Sequence, residues 1–221
     1  MSRLILILGD QLALDISSMR DIDKERDTVL MCEVMAEATY VGHHKKKIAF
    51  IFSAMRHFAD ELCTHGYRVR YTRIGDQDNT GSFRAEVKRA VDDLKPSAIC
   101  VTEAGEWRVR LVMETWAACF DINVDIRPDR RFLMSHEEFE TWAEGRKTLT
   151  MEYFYRNVRR KTGLLMNGDE PVGGRWNFDA ENRQPAKPDL FRPTHVMFTP
   201  DDTTTEVIAT VARLFPDNFG T

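Results

Sequence analysis

Gly9-Asp10-Gln11-Leu12 closes the first aliphatic run of the chain and sets a carboxylate and an amide side by side at a turn. Glycine relieves the backbone there, and Asp10 and Gln11 can present both acceptors and donors to a ligand. The turn also has a structural reading, because Asp stabilises turns through its own side chain. Further on, Glu33-Val34-Met35-Ala36-Glu37-Ala38-Thr39-Tyr40 places two carboxylates and a phenol among small apolar residues, a lining suited to a heteroaromatic ring with polar edges. Capping of the next helix by Glu33 or Glu37 is the alternative. His43-His44-Lys45-Lys46-Lys47 opens that helix and reads as a solvated basic turn. Cations at a helix N-terminus oppose the macrodipole, so an acidic neighbour is expected. His43 and His44 make a poor metal site, since adjacent histidines on a helix do not readily aim at one ion and no i, i+4 partner follows.

Two later stretches invite contact with a larger partner. From Met151-Glu152-Tyr153-Phe154-Tyr155-Arg156 through Arg159-Arg160-Lys161, aromatic and basic residues interleave, the composition that tracks a phosphate backbone while offering stacking surfaces. An amphipathic surface helix explains it equally well. Gly173-Gly174-Arg175-Trp176-Asn177-Phe178-Asp179 puts paired glycines before aromatics, as on a contact loop. Triphosphate chemistry is disfavoured, because neither the lysine-containing phosphate loop nor the glycine-rich dinucleotide fingerprint occurs. A serine-nucleophile triad finds no support: there is no G-x-S-x-G elbow, and the isolated His136 and His195 read as structural.

Strands and helices must bring these groups together. Residues 4–8, a continuous aliphatic run, read as a central strand buried on both faces, and 27–33 has the same character. The spacing of Ile48, Phe52, Met55, Phe58 and Leu62 predicts a helix over 41–65, stopped by Gly66. Alternating residues 67–73 predict a third strand nearer an edge. A helix over 82–94 closed by Pro96, a strand over 98–102, a helix over 109–119 and a strand over 122–126 continue the alternation. That alternation implies an α/β fold with a five-stranded parallel sheet and flanking helices. Open sheets of this kind bind ligands beyond the carboxyl ends of their strands, where Gly9-Asp10, residues 33–40 and Glu103-Ala104-Gly105-Glu106 would converge.

Past Arg131 the layout changes. Helices are expected over 136–142, 149–161 and 203–215, while the stretch after Gly163 collects six of the eight prolines without sustained periodicity. The chain divides into an α/β domain over 1–131 and a helical extension with a long, irregular, partly helical linker over 132–221. It reads as the N-terminal part of something larger. Phe191, Val196, Met197 and Phe198 would then be open to non-native contacts where a covering domain is missing.

With 221 residues, 43% of them hydrophobic and 30% charged, the chain can bury roughly 70% of the surface its unfolded form exposes and needs no disulfide or zinc staple. Cys32, Cys63, Cys100 and Cys119 form no C-x-x-C pair, sit in apolar contexts and are expected to be buried, reduced thiols. No run of about 18 apolar residues occurs and the N-terminus lacks a signal-peptide layout, so a soluble, cytoplasmic chain without membrane contact is expected. A net charge of -4 argues against a whole-surface nucleic-acid binder but leaves room for local basic patches.

The segments LILILGDQL, CEVMAEATYVGHHKKKIAFIFSAMRHFA, TEAGEWRVR, GRKTLTMEYFYRNVRRKTGLLM and GGRWNFDAENRQP resemble the N-terminal region of photolyase-related proteins. Within them the resemblance is to the bacterial iron-sulfur branch of the cryptochrome and photolyase family, which includes (6-4) photolyases, and it runs over residues 2–219. It implies a Rossmann-like antenna domain, then a linker to a helical domain that holds FAD and a 4Fe-4S cluster and uses blue light to repair damaged DNA. That carbon–carbon lyase chemistry belongs to the full-length protein, and none of the four cysteines here is a cluster ligand. The antenna pigment implied is 6,7-dimethyl-8-ribityllumazine. Its pocket falls on Gly9, Asp10, Gln11, Glu33, Glu37 and Tyr40, with Lys47, Ile51 and Glu103 completing the set. Arg159, Arg160, Trp176 and Asp179 are candidates for approaching DNA once the helical domain is present. A stand-alone α/β flavin- or nucleotide-binding module is the alternative, repair and signalling stay unseparated, and the oligomeric state is open.

Overall fold

The structure, a computed structural model, describes residues 1–183 and 196–220. Phe191 and His195 lie outside the described residues. In chain order the first elements are β1 (Arg3–Leu6), β2 (Thr28–Cys32), α1 (Met35–Thr39), α2 (Lys45–Thr64), β3 (Val69–Thr72) and α3 (Phe83–Leu94). Then come β4 (Ala98–Thr102), α4 (Trp107–Glu114), α5 (Trp116–Phe120) and β5 (Asn123–Arg127). The five strands make one parallel sheet in the order β3-β2-β1-β4-β5, with Ile5 opposite both Val29 and Cys100. The expected Rossmann-like α/β fold is therefore present, with β3 at an edge.

Successive strand side chains point to opposite faces, so the aliphatic run of β1 serves two cores at once. Leu4, Leu6 and Leu8 pack with Leu30, Ile99 and Val101 beneath Val87 of α3 and Val109 of α4. Ile5 and Ile7 pack with Val29 and Met31 against the α2 stripe of Ile48, Phe52, Met55, Phe58 and Leu62. Each such side chain, fully buried, contributes about 1.5–3 kcal/mol.

Three departures from the sequence reading have local causes. The helix expected from residue 41 starts at Lys45, because 35–39 form their own short helix and the His44 ring caps α2 by accepting from the Lys46 amide at 3.0 Å. The helix expected over 109–119 breaks at Thr115, whose hydroxyl donates to the Val112 carbonyl at 2.7 Å and competes with the helical ladder. Cys32 and Cys100 are buried, but Cys63 and Cys119 are exposed, correcting the expectation for those two. Apolar neighbours in sequence do not share a helix face: Leu62 points inward, so Cys63 beside it turns outward.

The remaining elements are α6 (His136–Ala143), α7 (Met151–Thr162), the two-residue strands β6 (Met166–Asn167) and β7 (Glu170–Pro171), α8 (Asp179–Asn182) and α9 (Asp202–Leu214). The sequence reading put 203–215 in the extension, but Val207, Val211 and Phe215 join the α2 core. Met1–Asp129 and Thr199–Thr221 accordingly form one compact unit and Arg130–Phe198 a second. In the second unit, Ser135 and Glu138 make a reciprocal capping box at α6, and Phe139 and Trp142 pack on Phe154 with ring centroids 5.1 and 5.0 Å away. Val196, Met197 and Phe198 are exposed.

Asp201 caps α9 by accepting from the Thr204 amide at 2.8 Å, and its other oxygen lies 2.5 Å from Nε2 of His57 on α2. Nδ1 of the same ring lies 2.7 Å from the Ser53 carbonyl, so both ring nitrogens face oxygens, an arrangement that only imidazolium completes. The Ser53 carbonyl and then the Asp201 carboxylate raise His57 above its ordinary 6.5. The Thr204 hydrogen bonds and then His57 hold Asp201 at about 2, below its ordinary 3.8. The histidine part of the stabilisation is full below 6.5 and fades as pH rises through the raised value. The aspartate part is full above 3.8 and fades as pH falls through about 2. In thermal unfolding, His57→Gln should lose most relative to the parent between pH 3.8 and 6.5, with the gap closing at alkaline pH. A gap independent of pH would contradict the pairing.

Candidate functional site

The chain runs from β1 outward through β2 to β3, then crosses to β4 and β5 on the other side of β1. Strand order therefore reverses at β1, and ligands of open parallel sheets bind beyond the carboxyl ends of the strands at such a reversal. A cavity of about 250 Å³ opens there. Leu8, Gly9 and Asp10 line it from the exit of β1, Cys32, Glu33 and Val34 from β2, and Ala104 and Glu106 from β4. Phe52 and Met55 of α2, Phe83 and Val109 make much of the remaining wall apolar. A Cβ added at Gly9 would lie 2.9 Å from Ile51 Cγ2 and 3.0 Å from Met55 Sδ. The close approach of α2 to this turn thus depends on glycine.

Of the residues singled out in the sequence, Gly9, Asp10, Glu33, Glu37, Tyr40, Lys47 and Ile51 all line the cavity, drawn from three loops and two helices. Gln11 and Glu103 do not. Gln11 is fully buried, accepts from the Leu8 amide at 3.3 Å and donates to the carbonyls of Thr102 and Glu103 at 3.2 and 3.1 Å, tying the β1 turn to the end of β4. The Glu103 carboxylate accepts from the Asp129 amide at 3.0 Å and lies 3.7 Å from the Arg110 guanidinium.

Glu33 lines the cavity with a carboxylate that the protein itself satisfies. One oxygen accepts from Arg56 Nε at 2.7 Å and the Tyr71 hydroxyl at 2.8 Å; the other accepts from Arg56 Nη2 at 3.1 Å and the Ile74 amide at 2.8 Å. These four donors fill the acceptor sites a carboxylate offers. Burial and then the Glu33 charge push the Tyr71 phenol up, so it stays a donor. No glutamate caps the following helices: Val34 precedes α1 without a side-chain cap, and His44 caps α2.

The cavity's polar rim is built from pairs. Arg108 on α4 donates to both oxygens of Glu37, at 3.1 and 2.6 Å, and through Nε to Glu106 at 2.9 Å. Its guanidinium lies 4.3 Å from the centre of the Tyr40 ring. His43 meets the other side of the rim, its ring edge-on to Tyr40 with centroids 5.3 Å apart and its Nδ1 accepting from Lys47 at 3.2 Å. In the sequence His43 reads as part of a solvated turn, and Arg108 carries no signal beyond its place two residues after Glu106 in TEAGEWRVR.

An apolar slot with a charged, hydrogen-bonding rim can orient a flat heterocycle without a covalent bond. Cys32 is no nucleophile there, because burial, then the Glu86 charge, pushes its thiol well up and away from thiolate. Among the described residues no group of three or more His, Cys, Asp or Glu side chains is placed to hold a metal ion.

In the second unit, Arg159, Arg160 and Trp176 come together. The guanidiniums of Arg156, Arg159 and Arg160 lie 5.4, 5.3 and 4.6 Å from the Trp176 ring centre. Arg159 is buried and donates to the carbonyl of Trp176 at 3.2 Å and to that of Leu165, whereas Arg160 is exposed. Asp179 is exposed at the start of α8.

A family model described as deoxyribodipyrimidine photo-lyase-related protein matches residues 5–221. A (6-4) photolyase of Agrobacterium fabrum is 72% identical over 220 residues, covering 100% of this chain and 43% of that protein. The chain thus spans less than half the length of that relative. An uncharacterized protein of Acanthamoeba polyphaga mimivirus is 19% identical over 142 residues, 62% of this chain and 70% of that protein.

Removing one partner of a buried ion pair costs about 3–5 kcal/mol where the other charge is left alone, and Glu206, 3.2 Å from Arg56 Nη1, offsets part of that here. Glu33→Gln should show that loss in denaturant unfolding, whereas Lys47→Ala on the exposed rim should stay within about 0.5 kcal/mol of the parent. A Glu33→Gln chain as stable as Lys47→Ala would remove the scaffold role from Glu33.

Proposed function

Because the chain belongs to the deoxyribodipyrimidine photo-lyase-related protein family, we propose that it is the N-terminal antenna domain of a light-driven DNA photolyase of (6-4) type. In this reading the cavity at the strand ends holds 6,7-dimethyl-8-ribityllumazine. The observation that carries it is the chemistry of that cavity: apolar walls from Val34, Phe52, Met55 and Val109, and a rim of carboxylate, phenol and ammonium groups from Glu37, Tyr40 and Lys47. A lumazine has a flat ring with carbonyl and imine edges and a hydroxylated chain, so it can use both kinds of surface. Arg108 occupies two acceptor positions of Glu37 and leaves about two for a ligand donor.

When bound, the pigment would absorb light and pass excitation to a flavin. The residues of this chain bind it, fix its orientation and keep water from it. The FAD, the 4Fe-4S cluster and the carbon–carbon lyase activity are assigned to the rest of the full-length protein, and damaged DNA to that complete protein as substrate. The name of the Agrobacterium relative supports the repair reading, and the basic and aromatic group around Arg160 and Trp176 suits a surface near phosphates.

Fluorescence titration of the purified chain with 6,7-dimethyl-8-ribityllumazine should give saturable binding that riboflavin and ATP compete for poorly. Glu37→Ala should weaken it about tenfold or more, the equivalent of one hydrogen bond to a charged group at roughly 1.5–3 kcal/mol. A folded chain that takes up no lumazine, or prefers riboflavin, would overturn this function.

A further inference from the structure

We propose that Arg108 is the positioning residue of this cavity: it locks Glu37 and Tyr40 into one rigid wall and so governs how long a flat heterocycle stays bound. The inference rests on the small-molecule reading of the site above. Arg108 does not itself line the cavity, yet it touches three residues that do, Glu37, Tyr40 and Glu106. Two guanidinium nitrogens donate to the two Glu37 oxygens, while the guanidinium carbon lies over the Tyr40 ring, 4.3 Å from its centre. Only arginine meets both demands at once, since lysine has neither the fork nor the plane.

The wall needs such a brace because α1, which carries Glu37, is weak on its own. It spans only Met35–Thr39 and has no side-chain cap; Ala38 is its one buried residue, and beyond that it is held by Met35 packed against the core and by the Ala36 amide donating to the Gly81 carbonyl at 2.9 Å. A single turn fixes several backbone angles for very few hydrogen bonds, so it does not persist without tertiary support. α4, in contrast, is held in the core by Val109 and Met113. Arg108 therefore ties the soft side of the cavity to its firm side across 71 residues of sequence. A wall fixed before the ligand arrives has less freedom left to lose on binding, and loosening it shows mainly in the dissociation rate.

The test compares the parent chain with Arg108→Ala and Arg108→Lys by two measurements. One is hydrogen exchange of the α1 amides without ligand, referenced to the β1 amides; the other is the dissociation rate of 6,7-dimethyl-8-ribityllumazine by stopped-flow fluorescence. Arg108→Ala should speed exchange in α1 while leaving β1 unchanged, and should speed dissociation about fivefold to tenfold, as a partly exposed ion pair plus one cation–π contact allows. Arg108→Lys should behave like Arg108→Ala; full rescue by lysine would reduce the role to charge alone and overturn the proposal. Unchanged dissociation in Arg108→Ala would overturn it too. If the parent takes up no lumazine, the pigment reading falls, and exchange decides alone: faster exchange in α1 supports the brace, unchanged exchange refutes it.

Discussion

The buried pair between Glu33 and Arg56 is the constraint on which the site depends. Glu33 leaves the end of β2 and Arg56 stands midway along α2, with side-chain exposures of 0% and 4%. Through the same carboxylate Tyr71 and Ile74 fix the exit of β3, and through Arg56 Nη1 the network reaches Glu206 on α9 at 3.2 Å. Desolvating two charges is costly, and hydrophobic packing alone could hold a helix on a sheet. What the pair adds is position. Arg56 ties α2 to the end of β2, and Ile51 and Met55 from the same helix lie against Gly9.

The cavity thus has two mechanical regimes. Its inner side is set by buried contacts: a two-faced strand, a satisfied carboxylate, and a glycine with no room for a methyl group. Its outer side is set by groups that keep some contact with water, as Arg108 at 42% and Glu37 at 25% side-chain exposure show. A single exposed pair is weak, but Arg108 holds Glu37, Glu106 and the Tyr40 ring together, so the mouth rests on one shared guanidinium where the floor rests on burial.

The sheet was legible in the sequence because its signal is local. Ala98–Thr102 matches the expected strand at both ends, since an apolar run there is bounded by Pro96 and by Glu103. The strand-end location of the site followed from the alternation of elements, and most of the residues flagged there do face one cavity. What stayed hidden was pairing over distance. Residue type shows that Glu33 can accept four hydrogen bonds, but its donors lie 23, 38 and 41 positions away. Gln11 has the chemistry of a ligand contact, yet partners 91 and 92 residues on take its amide. Cys63 sits in an apolar stretch, and only the phase of the helix turns it outward.

The return of the chain to its first unit has a topological consequence. Residues 130–198 are bracketed by two segments of one body, and the second segment is held by Val207, Val211 and Phe215 in the α2 core as well as by the covalent link. A break within residues 130–198 would leave α9 joined to the rest of its unit by packing alone, so the two ends of this unit are linked both through the chain and through the core.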